Sequence, residues 1–102
     1  MPEAMTEADV RRALEGLPGW TDAGGALRKE LRFDGFPAAF AFLTRVALLA
    51  ERMGHHPDFS CSYSRVTLEL RSHDAGGVTA RDVELARAIE GLLGRPPAAS
   101  TA

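Results

Sequence analysis

Residues 36–71 read FPAAFAFLTRVALLAERMGHHPDFSCSYSRVTLELR, and two apolar periods meet inside this stretch. Up to Met53 the spacing is helical. Phe36, Phe40, Leu43, Ala47 and Ala50 form one stripe, and Ala39, Phe42, Val46, Leu49 and Met53 form an adjacent one. So wide an apolar arc predicts a helix covered on more than one side, by a sheet and by a neighbouring subunit. Gly54 can take the left-handed conformation that stops a helix. Beyond Pro57 the period falls to two. Phe59, Cys61 and Tyr63 alternate with Ser60 and Ser62, then Val66, Leu68 and Leu70 alternate with Thr67, Glu69 and Arg71. This predicts two strands joined near Ser64-Arg65.

Upstream, residues 6–17 predict a first helix. Thr6 and Asp9 resemble a capping box with Asp in place of Glu, and Val10, Leu14 and Leu17 form its stripe. Gly16, Pro18 and Gly19 end it. Trp20-Thr21 can start a short strand, and Asp22-Ala23-Gly24-Gly25 reads as a hairpin loop. From Ala26 to Phe33 the chain alternates, with Leu27, Leu31 and Phe33 on one face. Lys29 is the exception on that apolar side. Downstream, the loop 72–77 leads to a last helix that opens at Thr79 with Asp82 in its first turn. Its inner face carries Leu85, Ala86, Ile89, Leu92 and Leu93.

The order helix, two strands, helix, two strands, helix, with short links, predicts an α+β fold. The expected architecture is a four-stranded antiparallel sheet with three helices packed on one face. Residues 1–94 would form the single domain and 95–102 a disordered tail.

The formal net charge of the 102 residues is -2, too acidic a balance for a nucleic-acid binder. One cysteine, Cys61, allows no intrachain disulfide and suits a reducing compartment. The longest apolar stretch, residues 36–50, is broken by Thr44 and Arg45 and is too short to span a bilayer. The first residues carry no signal-peptide pattern, so a cytoplasmic location is expected.

All three histidines, His55, His56 and His73, fall within 19 positions, each beside a turn signal. Pro57 forces His56 out of the helix into an extended conformation. Two antiparallel strands joined by a tight turn bring their outer ends together. Those ends carry His55-His56 and His73, so the three imidazoles are expected to meet. Glu51, Asp74, Arg81 and Asp82 are the charged residues nearby. Each has a bland alternative. A histidine at a turn is most often only solvated, and Glu51 and Arg81 can be exposed surface residues. Asp82 can serve purely as a helix-capping carboxylate. Cys61 reads as a small core residue rather than a nucleophile.

The segment Glu51-Arg52-Met53-Gly54-His55-His56-Pro57-Asp58-Phe59, then Tyr63, then Ser72-His73-Asp74-Ala75-Gly76-Gly77 and Arg81-Asp82, resembles the signature of the pterin-4a-carbinolamine dehydratases. The similarity runs over roughly residues 6–93 and includes the turn Leu17-Pro18-Gly19-Trp20. Two positions depart from the pattern. The family commonly has tryptophan where Phe59 stands, and often a polar residue at Gly54. Phe59 keeps an aromatic face but lacks the indole donor.

The resemblance implies dehydration of a 4a-hydroxytetrahydropterin to the quinonoid dihydropterin, within tetrahydropterin recycling. The chemistry suits histidine. The C4a hydroxyl leaves only when protonated, and N5 must lose a proton as the double bond forms. Imidazole, with an unperturbed pKa near ~6.5, can serve either transfer, and a well-placed group of this kind contributes about 10²–10⁴-fold. On this reading His56 and His73 are the transferring pair, His55 positions or assists, and Asp82 and Glu51 orient histidines. The backbone of His55-His56-Pro57, the loop Ser72-His73-Asp74-Ala75, Phe59 and Arg81 would hold the pterin, while Tyr63 serves structure.

The pterin is then the substrate, with no cofactor and no metal. A homodimer or homotetramer is expected, coupled in function to an aromatic amino acid hydroxylase. Two rival readings stand beside this one. The histidines with Glu51 or Asp82 could bind zinc, although adjacent side chains in an extended chain point apart. Alternatively the fold could be a non-enzymatic dimerisation or assembly partner, a role that needs no histidine set.

Overall fold

The computed structural model describes residues 3–94. In chain order its elements are α1 (Glu7–Leu14), β1 (Thr21–Asp22), β2 (Leu27–Arg32), α2 (Phe36–Met53), β3 (Asp58–Ser62), β4 (Arg65–Leu70) and α3 (Ala80–Leu92). The four strands form one antiparallel sheet in the order β1-β2-β4-β3, with the three helices on one face. The α+β architecture expected from the two periods is the one observed.

Strand alternation sorts the residues by face. Leu27, Val66, Leu68 and Leu70 are fully buried under the helices, against Phe42, Val46 and Leu49 of α2 and Leu85, Ala86 and Ile89 of α3. The opposite face is polar. Arg28 and Glu69 are cross-strand partners of opposite charge there (3.4 Å), while Asp58 with Glu69 and Arg32 with Arg65 pair like charges. Lys29 lies on the apolar side for a reason the pattern does not reveal. Its ammonium reaches past the sheet to Pro18 O (3.0 Å) and to the Glu90 carboxylate, which also accepts from Trp20 Nε1 at 2.9 Å. This ties the Leu17–Trp20 turn to α3.

Two element ends and one helix cap differ from the sequence expectation. α1 ends at Leu14, and Leu17 is buried from the following turn, its N–H on Leu14 O at 3.0 Å. Thr6 caps Asp9 N–H at 3.1 Å, but the Asp9 carboxylate turns to Arg12 instead of closing a box. Tyr63 does not extend β3. It sits in the link to β4 with φ 57° and is largely exposed, because a two-residue connection must reverse the chain there. The expected tail 95–102 lies outside the described residues.

Candidate active site

α2 stops at Gly54, whose φ of 68° is left-handed, and the N–H of His55 returns to Ala50 O at 3.1 Å. This closure turns His55 back toward α3. Its Nε2 lies 2.6 Å from Asp82 Oδ1, with the ring largely buried and Asp82 wholly so. The second Asp82 oxygen accepts from Thr79 N–H and from Ser72 Oγ, each at 2.9 Å. Ser72 and Thr79 hydroxyls are themselves 2.8 Å apart. Asp82 is therefore both the capping carboxylate of α3 and the partner of a histidine, one oxygen for each.

His56 Nε2 is 2.9 Å from Glu51 Oε1, one exposed pair at the end of α2. His73 Nε2 is 3.8 Å from Asp58 Oδ2, also exposed. An open cleft of about 340 Å³ is lined by Gly54, His55, His56, Arg71, Ser72, His73, Asp74 and Arg81. All three imidazoles thus border one hollow. Arg81 braces it by donating from NH2 to Gly54 O at 2.7 Å, joining the start of α3 to the exit of α2.

The other residues proposed from sequence fall differently. Glu51, Pro57 and Phe59 line a second, mainly apolar hollow of about 230 Å³ between α2 and β3, together with Leu43, Val46, Ala47 and Ala50. His56 borders both hollows. Ala75 belongs to the turn closed by its own N–H on Ser72 O (3.0 Å). Asp58, Arg71 and Thr79 were not foreseen. Only the sequence closeness of Asp58 and Arg71 to the histidines hinted at them. A larger hollow of about 450 Å³ lies between Met5, the β1–β2 loop and Gly76-Gly77. It is bordered by Glu7 and Asp22 but by no histidine, so it offers no imidazole for proton transfer. Among the described residues no three histidine, cysteine or carboxylate side chains gather as metal ligands would.

The site combines three histidines, each near a carboxylate, on one open cleft. The sequence model of one family, described as "Pterin 4 alpha carbinolamine dehydratase", matches residues 3–92. The chain belongs to that family. Relatives support the membership. A protein of Prochlorococcus marinus (strain MIT 9303), provisionally named a pterin-4-alpha-carbinolamine dehydratase, is 51% identical over 83% of this chain and 88% of its own. A Burkholderia cenocepacia (strain HI2424) protein with the same provisional name is 47% identical over 89% of this chain and 91% of its own.

Among solved structures, a transcriptional coactivator/pterin dehydratase from Brucella melitensis superposes with a TM-score of 0.86. It is 34% identical, over 90% of this chain and all of that one. A pterin dehydratase-like protein identified as a RuBisCO assembly factor in the alpha-carboxysome gives a TM-score of 0.64 at 25% identity, covering 76% of this chain and 93% of its own. The dehydratase fold therefore occurs under more than one described role.

Proposed function

We propose that this chain removes water from a 4a-hydroxytetrahydropterin by histidine acid/base catalysis. The observation that carries the reading is the meeting of His55, His56 and His73 on one cleft, with His55 anchored to a buried carboxylate. In the reaction the C4a–O bond breaks and the oxygen leaves as water after accepting a proton. N5 loses its proton as the C4a–N5 double bond forms. His56 and His73 have exposed rings at the cleft and carry these two transfers. His55, fixed by Asp82, positions the substrate. Glu51 orients His56. The flat ring lies along the His55-His56-Pro57 backbone and the loop carrying Ser72, His73, Asp74 and Ala75, with Arg81 at the rim. The apolar hollow beside Phe59 and Pro57 receives the less polar part of the substrate.

No cofactor or metal enters this mechanism, since the pterin is itself the substrate. The chain works as a homodimer or homotetramer in the cytoplasm and takes its substrate from an aromatic amino acid hydroxylase. The test is a dehydration assay with a 4a-hydroxytetrahydropterin. His56→Ala and His73→Ala should each lower kcat on the order of 10²-fold. Wild-type turnover in both variants would overturn the mechanism.

A further inference from the structure

We infer that Asp58 is the positioning carboxylate of His73, held in place by a row of alternating charges across the open face of the sheet. The inference rests on the acid/base role proposed above for His73.

The row runs from β2 across β4 to the edge strand β3. Arg28, Glu69 and Asp58 are register partners on neighbouring strands. Arg28 Nε lies 3.4 Å from Glu69 Oε2, and Glu69 Oε1 accepts from Arg71 NH2 at 2.7 Å. Arg71 is two residues beyond Glu69, so alternation returns it to the same face. Its Nε stands 3.6 Å from Asp58 Oδ2, and the same oxygen is 3.8 Å from His73 Nε2. Signs alternate from Arg28 through Glu69, Arg71 and Asp58 to the imidazole.

Two features single out Asp58 among the carboxylates. The first is that the carboxylates beside the other two histidines are committed. Asp82 is bound to His55, Ser72 and Thr79, and Glu51 to His56. The second is Arg71 Nε, a buried donor that has no hydrogen-bond partner among the described residues. Glu69 accepts from Arg71 NH2, and Asp58 Oδ2 is the carboxylate oxygen 3.6 Å from Nε. That oxygen also lies 3.8 Å from His73 Nε2, within reach of both groups. The other charged groups about His73 are Asp74 in its own loop, Arg81 from α3, and His55 and His56 across the cleft.

At 3.8 Å in open solvent the Asp58–His73 attraction is screened. A flat substrate over the cleft expels water, and the same pair then interacts in a lower dielectric. The effect of Asp58 therefore falls on the proton-transfer step, where the imidazole is cationic, rather than on substrate binding. The role parallels that of any carboxylate that orients a catalytic histidine.

Asp58→Asn keeps the shape and the strand and removes the charge. It should lower kcat about tenfold, a fraction of what a proton-transfer group supplies, with KM within about twofold of wild type. Asp58→Glu should recover most of the loss. In a His73→Ala background Asp58→Asn should have no further effect, because the carboxylate acts through the ring. A wild-type kcat for Asp58→Asn alongside a slowed His73→Ala would overturn the inference while leaving the acid/base reading intact. So would an equal loss with and without His73. Wild-type turnover in His73→Ala would instead remove the parent reading, and this inference with it.

Discussion

Asp82 satisfies a helix end and a cleft histidine at once. Its Oδ2 serves the cap of α3 and its Oδ1 serves His55, with no exposure to solvent. The two services separate on substitution. Asp82→Ala removes the cap and leaves buried polar groups short of a partner, so roughly 2–4 kcal/mol of stability should be lost, read from the urea midpoint. Asp82→Asn keeps an oxygen for the cap and should cost about 1 kcal/mol or less. With that oxygen kept on Thr79 and Ser72, the amide N–H replaces the acceptor that faces His55, so kcat should fall in a variant that still folds. Equal losses of stability in the two variants would contradict this division. The sequence made Asp82 visible under both readings, because its place in the first turn of a helix and its spacing from the histidines are linear features. Asp58 stayed hidden as a site residue. Its neighbours Arg71 and Glu69 come to it through strand register, and register is a property of the assembled sheet.

At the scale of the element, the exit of α2 governs the site. Gly54 takes φ 68°, its Cβ position opens onto free space, and its carbonyl is held by Arg81. A side chain here meets no steric obstacle, so the penalty is conformational alone. Gly54→Ala should destabilise by about 1 kcal/mol, measured by thermal or urea unfolding. Relaxation of the turn would also move His55 away from Asp82, so a loss of activity larger than the loss of stability is expected. An unchanged midpoint would show that the turn is not strained by a side chain. The helix and its stop were legible because period and glycine are both local signals. The end of β3 was not. Tyr63 continues the alternation of Phe59 and Cys61, yet the link to β4 has only two residues and takes Tyr63 into a left-handed turn. Nor did alternation explain Lys29, whose partners Pro18 and Glu90 lie far off in sequence.

In the whole molecule, the sheet and α3 cover only one arc of α2. Ala39, Phe42, Val46 and Leu49 are buried, while Phe36 and Phe40 remain 48% and 55% exposed and Leu48 68%. Phe59, on the neighbouring edge strand, is 61% exposed beside the apolar hollow that Ala47 and Ala50 help to line. Phe36 and Phe40 are the flank of the wide apolar arc read from residues 36–53 that is left facing water, and Leu48 lies outside that arc. Exposed apolar surface gathered on one helix and an adjoining strand edge marks an association surface. A second copy of the chain is the partner expected here, and light scattering should return the mass of a dimer or tetramer. Burying a phenylalanine side chain is worth about 1.5–3 kcal/mol, so Phe40→Glu should weaken assembly on the order of 10–100-fold or more, the added charge deepening the loss. The dissociated variant should keep its helical circular dichroism, because Phe40 contributes little to the core of its own chain. The consequence for the site is specific. His56 borders the hollow beside this surface, so dissociation should raise KM for the pterin more than it lowers kcat. A wild-type protein that sediments as a monomer at all concentrations would refute the association. A Phe40→Glu protein still of wild-type mass would place the contact elsewhere on the molecule.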